Sequence, residues 1–75
     1  MTYAEYIKAM RKEAGMTQKE FAKYFDIPVR TLEEWEAGNR KMPAYLLRLL
    51  TYRLEVEKKI QERGQLIDDV IEENR

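Results

Sequence analysis

One stretch of the chain leaves little freedom in how it can fold. Thr17–Gly38, TQKEFAKYFDIPVRTLEEWEAG, holds a helix start, a sharp turn and a helix stop, with no room for a loop between the two helices they define. Thr17 suits an N-cap, and Glu20 three residues on completes a capping box by returning its side chain to the Thr17 amide. A helix therefore begins at Gln18, with Phe21, Ala22 and Phe25 directed to a core and Lys19 and Lys23 to water. At Asp26 the chain must turn, and Asp is among the few non-glycine residues that tolerate positive φ while bonding their own backbone. Pro28 suits the first turn of the second helix, where its missing N–H costs nothing. That helix buries Leu32 and Trp35 at i, i+3 and stops at Gly38.

Val29, Arg30, Glu33 and Glu34 are then left on the outer side of the second helix. An apolar Val and a guanidinium at an exposed helix start are groups suited to base edges in a major groove.

From about Tyr6 to Leu54 the sequence resembles the lambdoid repressor and Cro-like helix-turn-helix domains, the xenobiotic-response-element (XRE) family. The resemblance is carried by Arg11, Gly15, Met16, Thr17, Gln18, Glu20, Phe21, Ala22, Ile27, Pro28, Thr31, Leu32, Trp35, Glu36, Gly38 and Pro43, in order and without an insertion. Asp26 departs from it, standing where the family usually has Gly. The resemblance implies a compact, all-α, five-helix Cro/repressor-like helix-turn-helix domain with a C-terminal helical extension, in which residues 1–54 are the DNA-binding part. An acidic helical extension, residues 55–75, continues the same domain.

By the same resemblance, Val29, Arg30 and Glu34 match base-reading positions, with Glu33 an outer candidate. Arg30 suits guanine O6/N7, Glu34 a cytosine amino group and Val29 a thymine methyl. Gln18, at the positive start of a helix, matches a phosphate contact, and Thr31, Arg40 and Lys41 would add others. Arg11 is expected to pair with Glu36, tying the first helix to the end of the base-reading one.

Thr2 and Glu5 form a second capping box, opening a first helix in which Tyr3, Ile7, Met10 and Ala14 recur at helical spacing and which Gly15 ends. This helix reads as a brace over the core. After Gly38, Asn39–Met42 form a polar loop with two adjacent cations, and Pro43 opens the next helix. From Ala44 the pattern stays helical for a long way. Leu46, Leu47, Leu50 and Leu54 lie on one stripe, and Tyr45, Leu49, Tyr52, Val56 and Ile60 on an adjacent one. One stripe suffices for a core, so the second is expected to meet something else, most simply another copy of the chain. Gly64 interrupts the pattern, and Gln65–Glu73 reads as a last short helix carrying Leu66, Ile67, Val70 and Ile71.

Composition narrows the chemistry. Cys and His are both absent, which removes thiol nucleophiles, imidazole bases, disulfides and nearly every zinc site. The paired acids Glu33-Glu34, Asp68-Asp69 and Glu72-Glu73 read as solvated helix faces, because neighbouring helical residues diverge by about 100°. No cofactor, metal or small-molecule ligand is expected, nor an enzyme. No apolar run is long enough for a signal peptide or membrane span, so a cytoplasmic protein is expected.

The zero net charge conceals a division. Through Leu54, ten Lys and Arg face seven Asp and Glu, a net of +3; from Glu55 onward four face seven, a net of −3. A basic head and an acidic tail fit DNA held by the head alone. The expectation is a small homodimeric repressor or antitoxin-like regulator on an inverted repeat, with the tail serving dimerisation. The alternative is a helical module that binds a protein partner, such as a toxin or a polymerase subunit, without DNA specificity of its own.

Overall fold

Local signals start and stop nearly every helix of the computed structural model, which describes residues 1–75. Thr2 and Thr17 cap helices α1 (Tyr3–Glu13) and α2 (Gln18–Phe25) through complete capping boxes. In each, the hydroxyl accepts from the Glu amide at 3.1 Å and the Glu carboxylate accepts from the Thr amide at 2.8 Å. Helices α3 (Val29–Ala37) and α4 (Ala44–Val56) follow Pro28 and Pro43. Each proline occupies the N-cap in an extended conformation, one step earlier than the first-turn place expected of it. Helix α5 (Gln65–Glu73) follows Gly64.

The same device closes four helices. A residue with positive φ turns the chain, its N–H donates back three residues, and the next N–H donates back five. Gly15 and Gly38 do this at the ends of α1 and α3, and Asp26 (φ 58°, ψ 45°) ends α2 as its side chain allows. At the end of α4 the residue is Lys58, φ 59°, with Lys59 N–H reaching Leu54 O at 2.8 Å. The long helix expected from Ala44 therefore stops at Val56, well short of Gly64.

The turn at Lys58 redirects the acidic tail onto the body of the domain. Ile60 is buried in the chain's own core, a correction to its placement on an outward stripe with Tyr45, Leu49, Tyr52 and Val56. Ile67, Val70 and Ile71 join the same core, with α5 packed on α1, while Leu66 stays exposed. Ion pairs fasten the tail: Arg63 to Glu13 at 2.7 Å, Arg48 to Asp68 at 2.7 Å, and the Met1 amine to Glu73 at 3.0 Å.

The core runs through all five helices, with Tyr6, Ile7, Met10, Phe21, Leu32, Leu47 and Leu54 fully enclosed. Phe25 and Leu46, expected in the core, pack on its rim and remain half-buried. Tyr6, Thr51 and Met42 are interior residues that periodicity did not single out. The Thr51 hydroxyl has one proton and donates it to Leu47 O at 2.8 Å, so Tyr6 O–H donates to Thr51 Oγ1 across 3.2 Å. Both buried hydroxyls are thereby satisfied.

The capping boxes carry a pH dependence. The Thr17 amide first, then its hydroxyl, hold the Glu20 carboxyl below the ordinary Glu value of 4.5, and Thr2 acts on Glu5 in the same way. A carboxyl with a lowered folded-state value stabilises the fold above 4.5, and the contribution is lost as the pH falls through the lowered value. Carboxyl-detected NMR titration should place Glu5 and Glu20 below 4.5, and Thr17→Ala should return Glu20 toward it. Because Ala keeps the backbone amide, the return should be partial, and an unmoved Glu20 in that variant would show that the Thr17 hydroxyl takes no part in holding the carboxylate.

Candidate nucleic-acid interface

Helix α3 owes its position to a buried cluster at its C-terminal end. Arg11 Nε donates to Glu36 Oε2 at 2.8 Å, and a second guanidinium nitrogen, NH2, donates to Oε1 at 3.0 Å, a two-pronged pairing. The remaining nitrogen donates to Met16 O at 2.9 Å, and Gln18 Nε2 adds a fourth bond, to Glu36 Oε1 at 3.2 Å. The Arg11 and Glu36 side chains are only 11% and 4% exposed, so the charges are held away from water and matched to each other. Three segments meet here: α1 through Arg11, the start of α2 through Gln18, and α3 through Glu36. The expected Arg11–Glu36 pair is present. Gln18 is more constrained than the sequence suggested, because one of its two amide protons is committed to Glu36.

The outer face of α3 is the opposite case. Val29 and Glu33 are exposed, and the Arg30 side chain is 87% exposed at the start of the helix. Arg30 and Glu34 sit one turn apart with Nε and Oε1 at 3.7 Å, a pairing the sequence reading did not include. An exposed pair of this kind is worth roughly 0–1 kcal/mol, so it opens cheaply when a better partner arrives. Thr31 is half-buried one position further on.

Free cations flank this face on two sides. Arg40 and Lys41 are exposed, make no ion pair, and border a concavity shared with Tyr3 and Trp35. On the other side Lys8 and Lys12 of α1 border a shallow concavity with Gln18 and Glu33. These two lysines were not singled out from sequence. The signal was present, since Lys8, Arg11 and Lys12 lie at i, i+3 and i+4 and so flank whatever Arg11 touches. Asn39 was likewise passed over, although it lies between Arg30 and Glu34 on one side and Arg40 and Lys41 on the other.

Three of the tail's seven acids are paired with groups of the head, and the end of the tail reaches the edge of this surface, where Asn74 borders the same concavity as Arg40 and Lys41. Asp68, Glu57 and Glu73 are engaged with Arg48, Arg53 and the Met1 amine. Eight cations make no ion pair, and six of them, Lys8, Lys12, Lys19, Lys23, Arg40 and Lys41, belong to the head, with Lys58 and Lys59 in the tail.

A family model described as helix-turn-helix matches residues 7–52, which run from within α1 to most of α4 and include every cation and α3 residue of the interface just described. The chain belongs to the XRE, lambda-repressor-like helix-turn-helix family. It is a family of DNA-binding transcription regulators and not of enzymes, so this helix-turn-helix protein is a DNA-binding regulator of the XRE type. Neither a search of curated proteins nor one of solved structures finds a match. The matched region ends before the tail, so α5 and its packing are additions to the part that the family describes. No three His, Cys, Asp or Glu residues converge as a metal site, and no helix is long and apolar enough to cross a membrane.

Proposed function

We propose that this helix-turn-helix protein is a small homodimeric repressor, or an antitoxin-like regulator, which acts in the cytoplasm by occupying an inverted-repeat operator and excluding other proteins from it. The observation that carries the reading is the contrast along α3. Its C-terminal end is locked by Arg11 and Gln18 through Glu36, while its N-terminal outer face carries Val29 and an extended Arg30 free of the core. A rigid helix with an open leading face is what major-groove reading needs.

In this reading Arg30 exchanges Glu34 for guanine O6/N7, and the released Glu34 accepts from a cytosine amino group. Val29 meets a thymine methyl and Glu33 lies at the edge of the groove. Arg40 and Lys41 take phosphates on one flank, and Gln18 and Thr31 add contacts nearer the helix start. Lys8 and Lys12 extend the backbone contact along α1. Arg11, Glu36 and Trp35 hold the reading helix in place without touching DNA.

Selection of bound sites from a random duplex pool, run on three proteins, tests the division of roles. The parent should return a two-fold symmetric site. Arg30→Ala should lose preference at one base pair per half-site, a loss of about 1–3 kcal/mol each, while folding normally. The double variant Arg40→Ala, Lys41→Ala should keep the same preference, bind all duplexes more weakly, and lower the salt slope by about one to two units per protomer. Unchanged discrimination by Arg30→Ala would remove that residue from base reading.

Glu33 and Glu34 on the reading face, with zero net charge overall, favour one other reading: a module that docks a protein partner such as a toxin through this surface. A mobility shift with mixed duplex at low salt separates the two, because a DNA binder retains salt-sensitive affinity for wrong sequences.

A further inference from the structure

Four large apolar side chains on α4 have no partner within the chain. Tyr45, Leu49, Tyr52 and Val56 are 67%, 59%, 66% and 59% exposed and form a single ridge along the whole helix. Together they present on the order of 500 Å² of side-chain surface, at the upper end of what a monomer normally exposes in one patch. The tail does not cover this ridge, because it is folded against α1 and fastened at the side of α4 by Arg48 and Asp68.

We infer that the ridge is the contact between two copies of this chain, with α4 packed antiparallel on α4 about a two-fold axis that passes between residues 50 and 51. The inference rests on the homodimeric part of the function proposed above and specifies its surface. Spacing is the first argument. The intervals along the ridge are four, three and four residues, which read the same from either end, as a self-complementary interface requires.

Reversal about the midpoint brings Tyr45 against Val56 of the second copy and Leu49 against Tyr52, so each aromatic meets an aliphatic. A parallel arrangement would instead stack each residue on itself, Tyr on Tyr and Leu on Leu. The midpoint also falls at the centre of Ala44–Val56, so the two helices overlap along their full length of about 20 Å.

The flanking charges are compatible with the same register. Arg48, held by Asp68 of its own chain at 2.7 Å, lies on one flank of the ridge, and helical periodicity places Glu55 of the second copy on that flank, about 3 Å further along the axis. Each Arg48 therefore faces an acid of the other copy and not a second cation, although Glu55 already accepts from its own Arg63 amide at 2.6 Å. On the other flank Arg53 is drawn off the ridge by the rings of Tyr24 and Phe25 and by Glu57, which keeps the two copies of Arg53 apart.

The ridge with its polar margin reaches the small end of specific interfaces, which bury about 600–800 Å² per partner. A dimer that forms at micromolar concentration and is tightened by DNA is the expected consequence.

Sedimentation equilibrium of the full chain between roughly 1 and 100 µM should show a reversible dimer. Leu49→Glu should raise its dissociation constant by about 30-fold or more with the thermal melt unchanged, since the side chain lies outside the core. The chain has no cysteine, so introduced thiols report on register alone. An oxidised equimolar mixture of Leu49→Cys and Tyr52→Cys should give mainly the mixed disulfide, and Tyr45→Cys alone should not cross-link to itself.

Self-cross-linking of Tyr45→Cys would overturn the antiparallel register. A dimer unaffected by Leu49→Glu would overturn the α4 surface and leave the homodimeric reading standing. A parent that remains monomeric at 100 µM would overturn both, and base reading by α3 would still stand or fall on Arg30→Ala.

Discussion

Arg11→Ala should lower the melting temperature by about 15–35 °C, because it strands the Glu36 carboxylate in a site where its side chain is 4% exposed. Breaking a buried pair by removing one partner costs about 3–5 kcal/mol, most of it the penalty on the charge left behind. Gln18 supplies only one neutral hydrogen bond in compensation. The loss is therefore large for a 75-residue domain, whose whole stability is of order 5–10 kcal/mol.

The same argument predicts rescue. Arg11→Met with Glu36→Leu removes both charges and fills their space with apolar groups, an exchange that is often neutral or stabilising. The double variant should melt near the parent and yet bind DNA less well, because the bonds to Gln18 and Met16 that set the approach of α2 and α3 are gone. Thermal melts of the two single variants and the double form the decisive cycle. A double variant no more stable than Arg11→Ala would mean that the pair stabilises by its own attraction, not by avoiding an orphaned charge.

Trp35→Ala should be as damaging for a different reason. Trp35 is the one tryptophan, buried on the inner face of α3 as part of the core that all five helices share. Removing a large aromatic costs about 3–5 kcal/mol through lost burial and the cavity left behind. Trp35→Phe keeps most of the volume and should lose far less. Circular dichroism against temperature is the test for the variants, and in the parent the fluorescence of this residue should shift to the red on unfolding. A cooperative melt of Trp35→Ala at the parental temperature would contradict its packing role.

Much of this fold was legible because its signals are local. The capping boxes at Thr2 and Thr17 close over three residues, and the turns at Gly15, Asp26 and Gly38 close over five, so the residues that decide them are neighbours in sequence. Asp26 shows the strength of such chemistry, holding a left-handed conformation that usually falls to glycine. Leu32 and Trp35 were placed in the core by helical spacing alone, and both are buried. Lys58 shows the limit. Nothing in its type announces positive φ, so the end of α4 passed unnoticed and the helix seemed to continue toward Gly64.

The candidate interface divides along the same line. Exposure of Val29, Arg30 and Glu33 follows from the period of α3 once Leu32 and Trp35 face inward. What the period does not contain is which side chains from elsewhere arrive beside them. Lys8 and Lys12 reach the α3 surface because Arg11 is drawn to Glu36 across 25 residues, and Gln18 is held by the same carboxylate.

Sequence alone thus determined where the helices begin, where α1, α2 and α3 stop, and the turn between α2 and α3, since these depend on hydrogen bonds and periodicities spanning a few residues. Tertiary structure alone decided that Ile60, Ile67, Val70 and Ile71 complete the chain's own core and that Tyr45, Leu49, Tyr52 and Val56 are left outside. Two apolar stripes on one helix are equivalent until something packs against one of them. The choice was made by contacts such as Tyr6 with Thr51 and Arg63 with Glu13, which join residues 45 and 50 positions apart and leave no periodic trace in the chain.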